Sequence, residues 1–490
     1  MVALMICSVA LLNHIFYPGS DLIGDTTTTT GNDIYVPGGD ATTTPDNDTP
    51  GGDATTVPDN DNDTPGGDST TVPGDDDYVP NDTLLLTYSL ASPSYPIMPK
   101  YTSDYNSDEY DEWSDALWEQ RKYYNAGKNL AGFFKSSTQS ILGDATTENA
   151  VYSPVNVYMT LAMLADISTG NTRAQILNAL NANSMEDLRT QANSVWNACY
   201  RDDGQTISRM ASSIWLNEDI NSGDTSALAE NYYASAFHGD MSSDEYSKAY
   251  NEWLKKETGG FLDDVIGDKK FDEDTIMTLA STLYFKASWN DKFNKELTKE
   301  GVFHSPTGDI TCNFMNQKSN STYFYGEMFS ATCKDLGNDG YMYFILPDEN
   351  VSISELLSND EALTFIHNPW GTGNNVSCKV NISLPKFDIS MKKDIISDIE
   401  ALGITDCFDG NNADFSEFFP ENKPSVSKME HGVRVAIDEE SCSGAAYVEV
   451  KMWGGSPSEE VDFTLDRPFI FVVTGPDGLP LFVGTVNNPS

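Results

Sequence analysis

The amino-acid sequence predicts an α+β fold, because helical patterns fill the first half of its folded region and strand patterns fill the second. Helical spacing of apolar residues occurs in residues 114–134, 156–166, 173–182, 185–199, 227–237 and 245–266. Strand patterns occur in residues 279–285, 341–346, 377–384, 433–437, 463–471 and 481–486. This order excludes a fold in which strands and helices alternate around a parallel sheet, and it favours helices packed on large sheets.

Each helix is predicted from apolar side chains that recur on one face. The first segment, residues 114–134, carries Leu117, Trp118, Tyr123, Leu130, Phe133 and Phe134. Within residues 173–182, Ile176, Leu177 and Leu180 share a face. The clearest strand is residues 279–285, where β-branched and aromatic residues indicate a buried position in a sheet.

The net charge of the chain limits the kinds of partner that it can bind. Its 490 residues contain 29 Lys+Arg and 75 Asp+Glu, for a formal net charge of −46. Binding to nucleic acid requires a basic surface, and attraction to anionic lipid headgroups requires clustered Lys and Arg. The charge therefore disfavours both nucleic acids and anionic lipid surfaces as partners.

The N-terminal hundred residues differ in composition from the rest of the chain. Residues 1–20 form an apolar signal or anchor segment, too short to predict a membrane span. Residues 21–100 read as a low-complexity linker of Thr, Asp, Pro and Gly with a near-repeat, and the first basic residue of the chain is Lys100. We expect a secreted or cell-surface (extracellular) protein, attached to the surface or wall through its N-terminal segment, with residues 101–490 as its folded domain.

Motifs for catalysis and metal binding are missing from the sequence. The seven Cys include no C-x-x-C pair, so neither a zinc site nor a dense disulfide framework is expected. We expect these cysteines to be mostly buried free thiols. The Asp-rich run at residues 59–63 lacks the central Gly and the closing Glu of a calcium loop. No G-x-S-x-G, H-E-x-x-H or Walker-type motif occurs. The sequence therefore predicts no enzyme, no cofactor and no metal ion.

Ordered blocks of sequence from residue 125 to the end resemble the serpin family of serine protease inhibitors. The blocks are Asn-Ala-Val-Tyr-Ser-Pro at 149–154, Gly-Asn-Thr at 170–172, Thr-Leu-Tyr-Phe-Lys-Ala-Ser-Trp at 282–289, Leu-Pro-Lys-Phe at 384–387, Leu-Gly-Ile-Thr at 402–405, Val-Ser-Lys at 426–428, Asp-Arg-Pro-Phe at 466–469 and Leu-Phe-Val-Gly at 481–484.

The resemblance implies about nine helices packed on three β-sheets, with an exposed reactive-centre loop near the C-terminus. It also implies the function of a suicide substrate. A target serine protease cleaves the loop and stays covalently attached, while the loop enters the central sheet as an extra strand. Strand insertion satisfies a row of backbone hydrogen bonds and releases stored strain. The inhibitor would be a monomer, with the protease as its partner.

The segment between residues 439 and 463 fits such a loop. Val448 and Val450 alternate with charged residues, as in a half-buried strand. The residues that the resemblance assigns to the hinge begin with two acids and are otherwise small: Glu439, Glu440, Ser441, Cys442, Ser443, Gly444, Ala445 and Ala446.

The scissile bond is predicted by spacing within the family. In similar inhibitors it lies about sixteen residues after the hinge glutamate, which places it at Gly455-Ser456. Glycine suits a protease with a small or shallow pocket, such as an elastase-like or subtilisin-like enzyme. A shift of two or three residues would offer Met452 or Trp453 to a chymotrypsin-like pocket.

Three departures from the family pattern concern the same machinery. The hinge has Ser441 and Cys442 where glycine and threonine are usual, and Tyr447 stands at a usually small position. Under the central sheet the family joins a serine, an asparagine and a histidine. Ser153 and His431 match, but the asparagine position holds Ser281, and Trp289 marks the end of the same strand. A non-inhibitory serpin used for surface binding is the competing prediction.

Overall fold

The computed structural model describes residues 80–337, 340–372, 374–442 and 459–490. Several predictions lie outside these residues: the apolar segment 1–20, the linker up to residue 79, the later hinge residues Ser443, Gly444, Ala445 and Ala446, the predicted bond at Gly455-Ser456, and the alternatives Met452 and Trp453.

Twelve α-helical segments occur in the described residues. They are α1 Asp82–Tyr88, α2 Asp108–Gln120, α3 Ala131–Leu142, α4 Pro154–Ile167, α5 Gly170–Ala179, α6 Met185–Cys199, α7 Ser226–Tyr232, α8 Asp244–Thr258, α9 Asp263–Ile266, α10 Ile353–Leu357, α11 Asp360–His367 and α12 Ile396–Ala401.

The strands of the described residues are β1 Ser89–Ala91, β2 Ala150–Tyr152, β3 Arg201–Asp202, β4 Ile207–Asn217, β5 Ala234–Gly239, β6 Met277–Ser288, β7 Lys299–Ser305, β8 Gly308–Tyr325, β9 Phe329–Asp335, β10 Tyr341–Pro347, β11 Asn375–Pro385, β12 Phe387–Asp394, β13 Glu430–Ile437, β14 Ser441–Cys442, β15 Glu460–Thr464, β16 Phe469–Thr474 and β17 Pro480–Val486.

These strands form two sheets. The first, called the central sheet below, has the order β1-β5-β4-β6-β14-β13-β12, with β3 paired to β4. The second has the order β15-β11-β8-β9-β10-β16-β17-β2, with β7 paired to β8. The long strand β8 pairs with β7 and β11 along most of its length and with β9 only at its end, so it joins two parts of the second sheet. The predicted α+β class is confirmed.

Most helix predictions are confirmed, and the errors occur where the backbone turns. The helix predicted at residues 185–199 is α6, with the same bounds. The helix predicted at 114–134 is two helices, α2 and α3, because Asn125 between them takes a positive φ of 70° that breaks the helix. The helix predicted at 245–266 ends at Thr258, where Gly259 adopts the left-handed conformation of a helix C-terminus.

One predicted helix is partly a strand. Residues 227–237 contain the end of α7 and the start of β5, with Tyr233 at a positive φ of 51° between them. The strand β5 pairs in parallel with β4, a strand that the sequence analysis missed. The strand predicted at 463–471 is two strands, β15 and β16, separated by residues 465–468. Pro468 in this gap has no N–H to donate to a sheet.

Part of the segment predicted as a linker is folded. The side chain of Asn81 caps α1, and Lys256 of α8 contacts the Asp82 carboxylate at 2.6 Å. Leu85 is buried in a cluster with Trp215 and other residues of β4, β5 and α8. Next to α1, β1 pairs with β5 as the outer strand of the central sheet. The folded body therefore begins before residue 101.

The main core lies between the two sheets and the helices α3 to α6, and a second cluster lies under α8. This second cluster joins Trp215, Tyr246 and Trp253 to Ala280 of β6, so α8 covers one face of the central sheet. Within the described residues, none of the helices combines the length and the apolar character needed to span a bilayer.

Candidate functional site

The predicted hinge begins inside the central sheet. Ser441 pairs with Ser288 and Cys442 with Ala287 of β6, and Cys442 also pairs with Ile437 of β13. The two residues of β14 therefore lie between β6 and β13. Beyond β14, these two strands form no ladder with each other in the described part of the chain.

A space between β6 and β13 continues from β14, and we call it the cleft. Its walls come from both strands, from the segment that follows α8, and from the buried residues beneath: Ser153, Asn156, Thr258, Phe261, Leu262, Leu283, Tyr284, Phe285, Gly432, Val433, Arg434, Val435, Ala436, Cys442 and Phe482. Among the described residues, no strand lies between β6 and β13 beyond β14, so the cleft follows directly on Cys442.

Asp438 shapes the turn that sends the hinge into the sheet. Its Oδ1 accepts hydrogen bonds from the backbone N–H groups of Glu440 and Ser441, both at 2.8 Å. The backbone N–H of Asp438 donates to the carbonyl of Ser441 at 3.0 Å. An aspartate that bonds to its own turn in this way is a common device of tight turns. The turn closes a short hairpin of β13 and β14.

Glu439 is anchored by its buried carboxylate. Thr298 donates to Oε1 at 2.7 Å, and the ammonium of Lys386 lies 2.7 Å from Oε2. Burial alone would raise the pKa of Glu439, but the hydrogen bonds from Lys386 and Thr298 hold that pKa below its usual value. The carbonyl of Glu439 also accepts from the backbone N–H of Phe293. The connection between β6 and β7 and the residue between β11 and β12 therefore both contact Glu439.

Trp289 and Glu440 complete the contacts at this end of the cleft. The indole N–H of Trp289 donates to the carbonyl of Asp438 at 2.8 Å, and its backbone N–H donates to the carbonyl of Glu440. The Glu440 carboxylate bonds to Lys295 at 2.6 Å, which lowers the pKa of Glu440. Trp289 is buried, whereas the Glu440 side chain is 40% exposed.

The sequence analysis missed a lysine under this tryptophan. The ammonium of Lys334 lies 4.4 Å from the ring centroid of Phe293 and 5.7 Å from that of Trp289. It donates to the carbonyl of Asp291 at 2.8 Å and to the side chain of Gln317. Burial lowers the pKa of Lys334 to about 8. The sequence did not indicate this lysine, because no local pattern distinguishes a buried lysine in a strand such as β9 from an exposed one.

Ser153 and His431 meet deeper in the cleft. The backbone N–H of Ser153 donates to Nε2 of His431 at 3.1 Å, and the Ser153 hydroxyl accepts from the N–H of Asn156 at the start of α4. His431 is 6% exposed, and burial lowers its pKa to about 4. A neutral imidazole is the state that accepts a hydrogen bond at Nε2. His431 is thus a neutral acceptor that connects β13 to α4.

Ser281 has a different partner from the one expected. Its hydroxyl accepts from that of Ser212 on β4 at 3.4 Å, so it bonds to the neighbouring strand of the central sheet. Within the described residues, Ser153 and His431 therefore bond to each other as expected, whereas Ser281 bonds to Ser212. A serine hydroxyl is shorter than the asparagine amide that the family usually has here.

The described cysteines are free thiols, and all except Cys312 are buried: Cys199, Cys333, Cys378, Cys407 and Cys442. Burial raises the pKa of the Cys442 thiol to about 12, and the nearby Asp438 adds to this rise. Thiolate is the reactive form of cysteine. The geometry therefore keeps Cys442 unreactive while β14 lies in the sheet.

Comparisons with known proteins agree with this geometry. Residues 131–489 match the family model described as Serpin (serine protease inhibitor). Serpin-ZX of Arabidopsis thaliana is 30% identical over 366 residues, which cover 70% of this chain and 92% of that protein. The leukocyte elastase inhibitor of Homo sapiens is 27% identical over 354 residues, covering 70% of this chain and 93% of the inhibitor.

Solved structures match as well. The thermophilic serpin Tengpin in its native state gives a TM-score of 0.66 at 26% identity, with 81% of this chain and 97% of Tengpin covered. AtSerpin1 of Arabidopsis in its native stressed conformation gives 0.65 at 26% identity, with 74% and 99% covered. The family resemblance and the serpin-like fold are thus confirmed, and this chain belongs to the serpin family.

Proposed function

We propose that this serpin inhibits a serine protease as a suicide substrate. The serine oxygen of the protease attacks the carbonyl carbon of Gly455, and the peptide bond to Ser456 breaks. The new amino group of Ser456 takes a proton, and the protease stays attached to Gly455 as an ester. In this mechanism the nucleophile belongs to the protease, and the inhibitor supplies only the acyl group.

The single observation that carries this proposal is the position of β14. Its two residues lie between β6 and β13 and lead directly into the cleft. Each further loop residue that entered the cleft would form backbone hydrogen bonds on both sides, as in strand addition to an open sheet edge. Cleavage would free the loop to continue along this path and carry the attached protease with it.

The sequence of the loop supports an elastase-like or subtilisin-like target. Gly455 at the primary position would fit a small or shallow pocket. A relative in this family is named leukocyte elastase inhibitor, in Homo sapiens and in Sus scrofa. A chymotrypsin-like protease that cleaves after Met452 or Trp453 is the alternative target.

The N-terminal composition supports export. We place this serpin outside the cell, secreted or attached to a surface through its N-terminal segment and acidic linker, and acting as a monomer. The linker would hold the inhibitor away from the surface, because a chain rich in like charge, Pro and Gly stays extended.

The test is to mix the full chain with elastase-, subtilisin-, chymotrypsin- and trypsin-like proteases and to examine denaturing gels and intact masses. A covalent complex with a C-terminal peptide that begins at Ser456 is the expected result. The matched control is Ala445→Pro, because proline cannot donate to a sheet and should convert the inhibitor into a cleaved substrate. Cleavage without a complex across the whole panel would favour a non-inhibitory serpin used for surface binding.

A further inference from the structure

Residues 80–101 lie ahead of residue 131, where the match to the family model begins, yet they pack on the folded body. They consist of α1, β1 and an irregular stretch that ends at Tyr101. We call these residues the N-terminal strap. The sequence analysis assigned nearly all of them to the linker, so their contacts with the body are found only in the structure.

The strap is attached to α8 by one apolar side chain and two polar contacts. Leu85 of α1 is buried in the same cluster as Trp253 of α8. The backbone N–H of Asn81 donates to the carboxylate of Glu252 in α8 at 2.7 Å. The ion pair between the two helices is the third contact. Helix α1 is therefore joined to α8 at several points along its length.

The rest of the strap is attached to the body beyond α1. Strand β1 pairs with β5 at the outer edge of the central sheet. The ring of Tyr95 stacks on that of Trp196 in α6, with 5.5 Å between their centroids. The backbone N–H of Tyr101 donates to the carbonyl of Asp203 at 2.8 Å. These contacts hold α1 in place from its C-terminal side.

Helix α8 and the segment that follows it lie across both walls of the cleft. The cluster under α8 includes Ala280 of β6, which forms one wall. Phe261 and Leu262, which follow α8, pack on Ala436 of β13 in the other wall. Thr258, the last residue of α8, lines the cleft itself. Separation of β6 from β13 would therefore disturb the contacts of α8 or of the segment after it.

We propose that the N-terminal strap clamps α8 against the central sheet and thereby resists the opening of the cleft. The buried side chain of Leu85 contributes most of this resistance, because burial of a leucine stabilises a structure more than an exposed ion pair does. The effect on loop insertion rests on the proposed function, in which β6 and β13 separate to admit the loop. The strap acts through α8, so its residues are positioning residues of the inhibitory reaction.

The experiment compares Leu85→Ala with Leu86→Ala in the full chain by hydrogen–deuterium exchange. Leu85 is 7% exposed and its neighbour Leu86 is 71% exposed, so only the first substitution removes a buried contact. Exchange of the backbone N–H groups of α8 should be at least about tenfold faster in Leu85→Ala and less than about twofold faster in Leu86→Ala. The helix α4 in the main core is the internal reference. Unchanged exchange of α8 in Leu85→Ala would overturn the proposal.

A surface variant guards against a general loss of stability in Leu85→Ala. Asp82→Lys places two like charges at the contact with Lys256, and it should make the exchange of α8 about threefold faster. Addition of Lys256→Asp restores opposite charges and should return the exchange close to that of the unaltered chain. If this second change restores nothing, or if exchange of α4 accelerates as much as that of α8, the strap does not clamp α8.

A separate readout distinguishes the clamp from the proposed function. The loop is cut by a cysteine protease of broad specificity, and its insertion is followed through the tryptophan fluorescence of the chain. Insertion should be about threefold faster in Leu85→Ala than in Leu86→Ala or the unaltered chain. If α8 loosens and the rate of insertion stays the same, the clamp does not resist opening of the cleft and the proposal is overturned. If even the unaltered chain inserts no loop, the proposed function is wrong, and the exchange of residues 259–262 beside the cleft decides the clamp by itself.

Discussion

The two ends of the cleft are held by different kinds of interaction. At the hinge end, the buried carboxylate of Glu439 bonds to Lys386 and Thr298, and Trp289 bonds to the carbonyl of Asp438. At the far end, beside the lining residue Gly432, a neutral pair joins Ser153 to His431 at 3.1 Å. Charge-assisted hydrogen bonds are about twice as strong as neutral ones.

This difference shows that the central sheet holds one end of the cleft strongly and the other end weakly. The charged contacts fix the turn before β14, so Ser441 and Cys442 pair in one register. The neutral contacts between β13 and α4 are few, and their loss costs less. In the proposed mechanism, insertion that starts next to β14 would therefore move from the strongly held end of the cleft toward the weakly held end.

The largest expected effect comes from the charged end. Glu439→Gln removes a buried carboxylate and its charge-assisted bond to Lys386. Because the Lys386 side chain is 37% exposed, the native state should lose about 2 to 3 kcal/mol, less than for a fully buried ion pair. Urea unfolding followed by circular dichroism measures this loss.

The matched control is Glu440→Gln, which breaks the exposed pair with Lys295. Exposed pairs are worth less than about 1 kcal/mol, so the two neighbouring variants should differ clearly. If both variants lose the same stability, the hinge end is not anchored by the buried carboxylate.

The second prediction concerns His431, whose contribution to the stability of the native state should fall at low pH. His431 stays neutral in the native state with a pKa of about 4, while the unfolded chain takes up a proton below about pH 6.5. Its contribution to stability is therefore present above pH 6.5 and is lost as the pH falls toward 4. Between pH 7 and pH 5 the loss should be about 2 kcal/mol.

A second buried histidine complicates this measurement and also serves as its control. His367 bonds to Thr138 and has a pKa lowered to about 3 by burial, so it should add a similar loss. His431→Gln should therefore reduce the loss of stability between pH 7 and pH 5 by about 2 kcal/mol, and the double variant with His367→Gln should reduce it by about twice as much. An unchanged pH dependence in His431→Gln would show that His431 titrates normally.

The smallest expected effect comes from Ser281. Ser281→Asn restores the amide that the family usually has, and one added hydrogen bond across the sheet should stabilise the native state by about 1 kcal/mol. The inhibitor should then insert its loop more slowly, measured as a higher stoichiometry of inhibition. Ser281→Ala, which loses only the 3.4 Å bond to Ser212, is the control and should change stability by less. A faster insertion in Ser281→Asn would contradict the comparison.

Much of the fold could be predicted where local sequence and tertiary structure agree. The helix α6 has an amphipathic pattern with Ser184 at its N-cap, and its bounds were predicted correctly. The strand β8 was missed because its outer half is polar, with Asn, Gln, Lys and Ser in a run that resembles a loop. Its neighbours β7 and β11 hold it in a sheet through backbone bonds that leave no trace in its own sequence.

The candidate site divides in the same way. The sequence blocks located Ser153, His431, Trp289 and the hinge because each belongs to a family pattern. Asp438 and Lys334 were missed, although Asp438 directly precedes the hinge glutamate. Their importance comes from partners distant in sequence or from a turn geometry, such as the contact of Lys334 with Trp289 and Phe293.

The sequence by itself determined the family, the α+β class and most of the helices, because these depend on local pattern and on blocks with fixed spacing. Only the tertiary structure decided the register of β14 and the charged anchor of Glu439. Register depends on which backbone groups of distant strands meet, and burial decides the charge state of His431. Neither property is encoded in a short stretch of chain, because both arise when segments far apart in sequence pack together.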